Sequence, residues 1–381
     1  MRSIVHAMQP ALCITTAEQL DHALGQLANS DFVALDTEFM RESTYYAGLC
    51  LIQAATADYC VIIDPLALTE LQPLWEFLAD RRRLKVLHAG RQDLEVLSQA
   101  MAPAGLGIPG PVFDTQIAAA LLGHASQVGY GPLVGERLGH ALAKGHARAD
   151  WSRRPLSTEQ LEYAADDVRY LAPLYLDLRD ALAAQGRLEW LEEESRELED
   201  ARLYRTEPDE AWRRLKGLDR LRPEQRAAIK VLARWRESRA MSSDKPRGWI
   251  LSDESLREIA ERLPRSAEDL DQLRSVAPGT IRKRGEEILA LIAEGRELAA
   301  NESPASNPPR PEPEKLALVT RLMAFVRTQA EQMKIAPELL ATRRDAEHLV
   351  FSGRAERLLS GWRREVIGER LVALAKQAHQ P

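Results

Sequence analysis

Strand-like and helix-like stretches alternate through residues 1–176, and from residue 211 onward the strand-like stretches disappear. Short apolar runs such as FVALDTEF (32–39) and LKVLHAG (84–90) are typical of strands. Helical patterns such as TAEQLDHALGQLANS (16–30) separate them, and that helix has a threonine cap at its start. This alternation predicts a mixed sheet with helices packed on it, which is an α/β domain.

The second half of the chain has the pattern of short amphipathic helices separated by proline and glycine. One stretch in it, PRGWILSDESLREIA (246–260), aligns with a later one, IAPELLATRRDAEHLV (335–350), which indicates a second, diverged copy of the same helical domain. The predicted division is an α/β domain at 1–176, an acidic connecting helix at 177–210, a helical domain at 211–298, a Pro-rich linker at 299–313 and a second helical domain at 314–381.

Charge divides the chain in the same way. Residues 1–210 carry a net charge of −14, whereas residues 211–381 carry a net charge of +8. An acidic front and a basic rear suggest a site charged by metal ions, followed by a part that contacts a polyanion. The three cysteines form no CxxC pair, and no apolar stretch is long enough to span a membrane. The chain is therefore expected to be cytoplasmic, with no membrane partner.

Two carboxylates, Asp36 and Glu38, stand near the end of an otherwise apolar strand. Residues two apart on a strand share a face, so both acids are expected on the same side of the sheet. Unpaired carboxylates in such a place cost several kcal/mol. Hard divalent cations, which prefer oxygen ligands, are the natural compensation.

Further acids can join this pair. Asp93 lies where a strand gives way to a helix, and Tyr163 and Asp167 stand four apart on a predicted helix, where they share a face. Asp166 is one position off and points elsewhere. Two metal ions held by such a set can activate a water molecule and stabilise the leaving oxygen in phosphoryl displacement.

Three motifs in order carry a family resemblance: DTEF (36–39), HAGRQDLEVL (88–97) and YAADDVRYL (163–171). They resemble the exonuclease motifs of the DEDD superfamily. The Tyr-x-x-x-Asp form of the third motif is that of the tyrosine subgroup, because the histidine subgroup would have His where this chain has Glu162. Residues 140–171 closely resemble the ribonuclease D family, and residues 221–264 resemble the HRDC domain that RecQ-type helicases share with it.

The resemblance implies a ribonuclease H-like exonuclease domain followed by two all-α HRDC-type domains. It implies an enzyme that removes nucleotides one at a time from RNA 3′ ends as 5′-mononucleotides, with transfer RNA precursors as the expected substrate. The chain is expected to be a monomer. Asp36, Glu38, Asp93 and Asp167 would hold two Mg²⁺ or Mn²⁺ ions, and Tyr163 would orient the attacking water. A phenol with a pKa near 10 is a poor base at neutral pH, so the metal must supply most of the activation.

Two alternative functions stay open on the sequence. One is a DEDD exonuclease that acts mainly on DNA, because nothing in the motifs recognises a 2′-hydroxyl. The other is a non-catalytic RNA-binding scaffold on a nuclease fold, which the intact acid set argues against.

Candidate RNA contacts lie in the loop before Tyr163. Lys144, Arg153 and Arg154 could hold phosphates and Trp151 could stack a base, since single strands bind to basic and aromatic groups. An ordinary packed loop would explain the same residues.

Four further sequence features allow expectations. Asp114 is either an acid that supports the metal ligands or the N-cap of the following helix. His88 is expected to be a strand-end histidine of the core. Trp249 is expected to be a core residue, although with the basic stretch 281–285 it could form an RNA face. A chain ending near Glu210 keeps all five site residues, so it is expected to cleave short single strands.

Overall fold

The computed structural model describes residues 11–142, 145, 149–301 and 312–377. Six strands form one sheet: β1 (Leu12–Ile14), β2 (Phe32–Met40), β3 (Gly48–Ala55), β4 (Cys60–Ile63), β5 (Leu84–Leu87) and β6 (Val112–Asp114). Their order across the sheet is β1-β4-β3-β2-β5-β6. The β3–β4 pair is antiparallel, whereas β1–β4, β2–β5 and β5–β6 are parallel. The predicted mixed sheet is confirmed.

Between Ala17 and Glu197 the described residues form eight α-helices: α1 (Ala17–Leu27), α2 (Gln72–Ala79), α3 (Arg91–Met101), α4 (Thr115–Leu121), α5 (Tyr130–Leu138), α6 (Thr158–Arg169), α7 (Leu171–Ala184) and α8 (Leu188–Glu197). A short 3₁₀ turn, Ala102–Ala104, follows α3. Helix α1 begins where the sequence predicts, because Thr16 and Gln19 form a capping box.

The rest of the described chain is helical, with no strand among the described residues after Asp114. Its helices are α9 (Pro223–Ser243), α10 (Arg247–Ile250), α11 (Asp253–Arg262), α12 (Ala267–Asp271), α13 (Pro278–Asn301), α14 (Pro313–Met333), α15 (Pro337–Leu340), α16 (Arg343–Ser352), α17 (Gly361–Arg363) and α18 (Glu369–Gln377). Three 3₁₀ turns lie at Ala201–Leu203, Pro208–Arg214 and Leu218–Arg220, and a π-helical turn lies at Arg364–Gly368. The predicted all-helical second half is confirmed.

Three parallel neighbours, β2, β5 and β6, bring the acidic residues to one edge of the sheet. Parallel strands have their carboxyl ends at the same edge, and such an edge is where open α/β sheets bind ligands. Asp36 and Glu38 lie near the end of β2, and Asp93 follows β5 in the first turn of α3. Asp114 ends β6 and is paired with Leu87 of β5.

The contacts divide the chain into two compact units. The described residues of the first unit lie within 11–40, 49–201 and 312–377, and those of the second lie within 41–48 and 202–301. The segment predicted as a second helical domain therefore belongs to the unit that contains the sheet. The boundaries predicted from the sequence otherwise stay predictions.

Each unit has its own apolar core. In the first unit one cluster of buried side chains runs from Ala34 and Val86 of the sheet to Leu174 of α7 and on to Leu322 and Leu340 of the C-terminal helices. In the second unit the core is built around α9, α11 and α13. There Gly295 allows close helix packing, because a Cβ at this position would lie 2.6 Å from the Cα of Ala228.

A buried ion pair fastens the C-terminal helices to α8 within the first unit. The guanidinium of Arg363 lies 2.5 Å from the carboxylate of Glu194, and only 2% and 8% of these two residues, respectively, are exposed. The indole of Trp362 donates to the same carboxylate at 2.9 Å and stacks on Trp190 at 4.5 Å between ring centroids. Arg363 also donates to the carbonyl of Leu339 at 2.6 Å.

Glu194→Gln should destabilise this unit by about 3 kcal/mol, because it leaves the Arg363 guanidinium buried without its counter-charge. Glu192→Gln, on the exposed side of the same helix, is the matched control. The measurement is the urea unfolding midpoint of both variants. Equal midpoints would mean that the pair does not hold the C-terminal helices in place.

The shared core changes what is expected of a shortened chain. A chain ending near Glu210 loses Arg363 together with all the apolar side chains that the C-terminal helices add to the first unit's core. The remaining nuclease part would expose a large apolar surface to water. The structure therefore argues against the expectation that such a chain cleaves RNA on its own.

Candidate active site

Three carboxylates converge at the edge where β2 ends. One oxygen each from Asp36, Glu38 and Asp167 lies within 4.8 Å of the other two. All three residues are partly buried. Three side chains that lie so close together could hold a metal ion, and in the described part of the chain no other group of acidic, histidine or cysteine residues meets this criterion.

Helix α6 supplies the third acid of this cluster. The N-cap of this helix is Ser157, whose hydroxyl accepts from the backbone N–H of Gln160 at 3.2 Å in a capping box. Asp167 and Tyr163 lie one helical turn apart. Asp166 instead pairs with Arg169 at 2.5 Å, so its carboxylate is engaged elsewhere, as the helical spacing predicts.

The fourth acid, Asp93, is tied directly to the strand that carries the first two. Its Oδ1 accepts from the backbone N–H of Thr37 at 3.2 Å and from the Thr37 hydroxyl at 2.6 Å. Asp93 is not in the 4.8 Å cluster, but its charge raises the pKa of Asp36 and Glu38, so it lies beside them. The sequence offers no signal for this role of Thr37, because a threonine between two acids on a strand looks like an ordinary strand residue.

All four carboxyl groups resist ionisation in the absence of metal. Burial, aided by neighbouring carboxylates, raises the pKa of Glu38 to about 8 and that of Asp167 to about 7. Burial raises the pKa of Asp93 to about 6, although the hydrogen bonds from Thr37 oppose the shift. The pKa of Asp36 is held well above its ordinary value by burial and by the other three acids. Raised pKa values of this kind are expected where buried carboxylates have no cation beside them.

Tyr163 faces the same carboxylates. Burial raises the pKa of its hydroxyl, and the charges of Asp167, Glu38 and Asp36 raise it further, in that order. The phenol therefore keeps its proton at neutral pH. It can orient a water molecule by hydrogen bonding but cannot serve as a base.

Asp114 and His88 stand behind the cluster. The carboxylate of Asp114 caps α4, which is one of the two roles that the sequence left open, and it also accepts from the backbone N–H groups of Ala89 and Gly90. The ring of His88 lies 3.0 Å from the Thr115 hydroxyl and 3.1 Å from the carbonyl of Val128, and burial lowers its pKa. His88 is thus a neutral structural residue, as predicted.

The predicted RNA contacts fare less well. Trp151 is 1% exposed and its ring lies 6.1 Å from that of Tyr163, so the prediction that it stacks a base is wrong. Arg154 pairs with Asp64 at 2.6 Å and donates to three backbone carbonyls, so it holds the loop in place instead. Arg153 is exposed and pairs with Asp150, so its role stays a prediction. Lys144 lies outside the described residues.

Trp249 was expected in the core but lies at the surface. It lies on α10, a single helical turn, and 64% of its surface is exposed. The expectation that it is a core residue is wrong, because so short a helix buries only Ile250. The basic stretch at 281–285 forms part of α13 in the same unit.

Comparison with known proteins agrees with this geometry. A family model described as a 3′–5′ exonuclease matches residues 12–183, and a model of the HRDC domain matches residues 225–292. A ribonuclease D of Granulibacter bethesdensis is 41% identical over 95% of this chain and 91% of its own length. The chain belongs to the ribonuclease D family. Another ribonuclease D, from Nitrobacter hamburgensis, is 38% identical over 95% of this chain and 94% of its own length.

A solved structure of a ribonuclease D extends the match to the whole fold. Escherichia coli RNase D, described as an exoribonuclease involved in structured RNA processing, superposes with a TM-score of 0.87 at 33% identity. The match covers 98% of this chain and 100% of the other. The protein is accordingly a 3′–5′ exoribonuclease, and the exonucleases of its family depend on divalent metal ions. None of its described helices has the length and apolar composition needed to cross a membrane.

Proposed function

We propose that this ribonuclease D-type protein trims RNA 3′ ends one nucleotide at a time by hydrolysis with two metal ions, using Asp36, Glu38, Asp93 and Asp167 as ligands. The observation that carries the proposal is the convergence of three carboxylates within 4.8 Å beside a fourth. The donors are all oxygen, which suits Mg²⁺ or Mn²⁺. Their raised pKa values fit a site whose charge is balanced only when cations bind.

The chain's own side chains have separate tasks in this reaction. The four acids hold the ions, which when bound would lower the pKa of the attacking water and stabilise charge on the phosphate. Tyr163 hydrogen-bonds the attacking water and aligns it with the phosphorus. Water adds to phosphorus, the bond from phosphorus to the O3′ of the preceding nucleotide breaks, and that oxygen leaves with a proton. The product is a 5′-mononucleotide.

Precursors of transfer RNA are the proposed substrate, and the active form is proposed to be a monomer. The family resemblance supports the first point, together with the net charge of +8 on residues 211–381, which would attract structured RNA. The proposal of a monomer is supported by the fact that one chain supplies all five site residues, including Tyr163.

Digestion of 5′-labelled RNA tests the proposal. The substrate is a transfer RNA-like hairpin with a single-stranded 3′ trailer, compared with DNA of the same sequence, in Mg²⁺, Mn²⁺ or EDTA. We expect a ladder that shortens from the 3′ end of the RNA, stops near the base-paired stem and vanishes in EDTA. Faster digestion of the DNA would contradict the substrate assignment, and digestion in EDTA would contradict the metal mechanism.

Thr37→Val tests how Asp93 is held. The substitution keeps the shape and the backbone N–H but removes the hydroxyl that donates to Asp93 at 2.6 Å. Losing a group that supports a metal ligand typically costs about 10-fold or more in metal affinity or activity. We expect a higher half-saturating Mn²⁺ concentration and a lower kcat, measured in steady-state digestion of a short RNA.

Thr37→Ser is the matched control, because it restores the hydroxyl without the methyl group. It should recover most of the activity that Thr37→Val loses. If the valine and serine variants lose activity equally, packing of the methyl group matters more than the hydrogen bond to Asp93.

A further inference from the structure

The carboxylate of Asp114 links two segments at the edge of the sheet. Asp114 is 3% exposed. Its Oδ1 accepts from the N–H of Gln116 at 2.8 Å and Ile117 at 3.4 Å, which caps α4. The same carboxylate also crosses to the turn after β5, where Ala89 donates at 3.1 Å and Gly90 at 2.9 Å. A helix cap needs only the first two of these bonds.

The turn that Asp114 holds has a conformation that its own residues do not favour. Ala89 has φ +53°, in the left-handed region that a residue with a Cβ rarely adopts. A Cβ on Gly90 would lie 2.5 Å from the Cβ of Leu87, so this position is close-packed as well. Gly90 is also the N-cap of α3 and has no side chain with which to bind the first amides of the helix. Contacts from outside the turn must keep it in place, and Asp114 provides two of them.

The turn determines where Asp93 lies. Asp93 is the third residue after Gly90, in the first turn of α3, and its Oδ1 reaches the Thr37 hydroxyl at 2.6 Å. A shift of the helix start by 1 Å would lengthen that bond and move the carboxylate relative to Asp36. Metal sites are sensitive to shifts of this size, since ligand geometry is set by the groups behind the ligands.

We propose that Asp114 is a positioning residue for the exonuclease reaction: it fixes the Ala89–Gly90 turn and thereby places Asp93 at the metal site. This inference rests on the proposed role of Asp93 as a metal ligand. Asp114 acts through the backbone and contacts neither the RNA nor the metal ions.

Two substitutions at Asp114 separate the turn from the cap. Asp114→Asn keeps one oxygen and replaces the other with an amide group, so a donor faces the donor of Ala89 or Gly90. Asp114→Ser keeps a good helix cap for α4, but its side chain is too short to reach the turn. If the asparagine variant folds poorly, the serine variant still tests the role of the turn. We expect each to lower kcat about 10-fold or more and to raise the half-saturating Mn²⁺ concentration about 10-fold, with the KM for RNA nearly unchanged.

Thr16→Ala is the control for a general loss of stability. It removes the capping box that Thr16 forms with Gln19 at the start of α1. All variants are assayed well below their melting temperatures, and the thermal shift caused by Mn²⁺ without RNA is measured as well. Asp114→Asn and Asp114→Ser should show a smaller Mn²⁺-induced shift than Thr16→Ala.

Wild-type kcat and wild-type Mn²⁺ dependence in a folded Asp114 variant would overturn the inference. Asp93→Asn, assayed alongside, distinguishes this failure from failure of the proposed function. An active Asp93→Asn protein would refute the metal role itself. An inactive Asp93→Asn protein beside fully active Asp114 variants would refute only the positioning role of Asp114.

Discussion

Asp36→Asn should lower the rate of RNA hydrolysis about 10³-fold or more. Asp36 lies in the three-carboxylate cluster, and its pKa responds to all three other acids, so it is at the centre of the proposed metal site. Replacing its carboxylate with a neutral amide removes charge that the metal ions need, and with it the stabilisation of the transition state. The measurement is single-turnover digestion of a short 5′-labelled RNA in Mn²⁺.

The same substitution should stabilise the metal-free protein. Burial and neighbouring charges hold the pKa of Asp36 well above its ordinary value, so the folded protein loses stability as pH rises past the range where the unfolded carboxyl ionises, near pH 4. Asn cannot ionise, so the variant avoids this loss. In EDTA we expect a higher melting temperature for Asp36→Asn than for wild type at pH 8, with the difference shrinking toward pH 4.

Asp31→Asn is the control for Asp36→Asn. It lies at an exposed position just before β2 and should leave both activity and melting temperature unchanged. Adding Mn²⁺ should raise the melting temperature of wild type well above that of Asp36→Asn. Near-normal turnover of Asp36→Asn would remove Asp36 from the site.

Tyr163→Phe should lower kcat about 10²-fold and leave RNA affinity nearly unchanged. The substitution keeps the ring beside Trp151 and removes only the hydroxyl that faces the carboxylates. Because the pKa of this hydroxyl is raised, it acts protonated, and the activity lost should not be recovered by raising the pH. The measurement is kcat from pH 6 to pH 9 together with RNA affinity by fluorescence anisotropy.

Tyr59→Phe is the matched control, since it deletes a tyrosine hydroxyl in the turn between β3 and β4. It should behave as wild type. If Tyr163→Phe weakened RNA affinity as much as turnover, the side chain would be better explained as a stacking contact with the substrate.

The sheet was predictable because its signals are local. Each strand is a short apolar run bounded by a helix or turn, and parallel strands necessarily bring Asp36 and Asp93 to one edge. The spacing of Tyr163 and Asp167 placed both on one face of α6. These inferences need only the periods of strand and helix.

The predictions that the structure corrects depend on contacts between residues that are distant in the chain. Trp151 looks like a surface aromatic in a basic, glycine-rich loop, but Arg154 holds that loop to Asp64, 90 residues away. The C-terminal helices repeat the pattern of an independent domain, yet Arg363 pairs with Glu194, 169 residues away. Neither contact can be predicted from the periodicity of a short stretch of sequence.

The support given to Asp93 was equally hidden. The sequence left Asp114 as either a helix cap or an acid behind the site, and the choice could not be made because a cap is visible locally whereas the bonds to Ala89 and Gly90 are not. Thr37 gave no signal at all.

Titration of Mn²⁺ into the protein by calorimetry, with a 5′-mononucleotide present to complete the site, tests the central claim most directly. The account predicts two ions per wild-type chain, and at least one of them lost or bound far more weakly by Asp36→Asn and by Asp93→Asn. Asp31→Asn should match wild type. Failure of the wild type to bind Mn²⁺, or the same binding by all four proteins, would contradict the claim that these carboxylates form the metal site of the exonuclease.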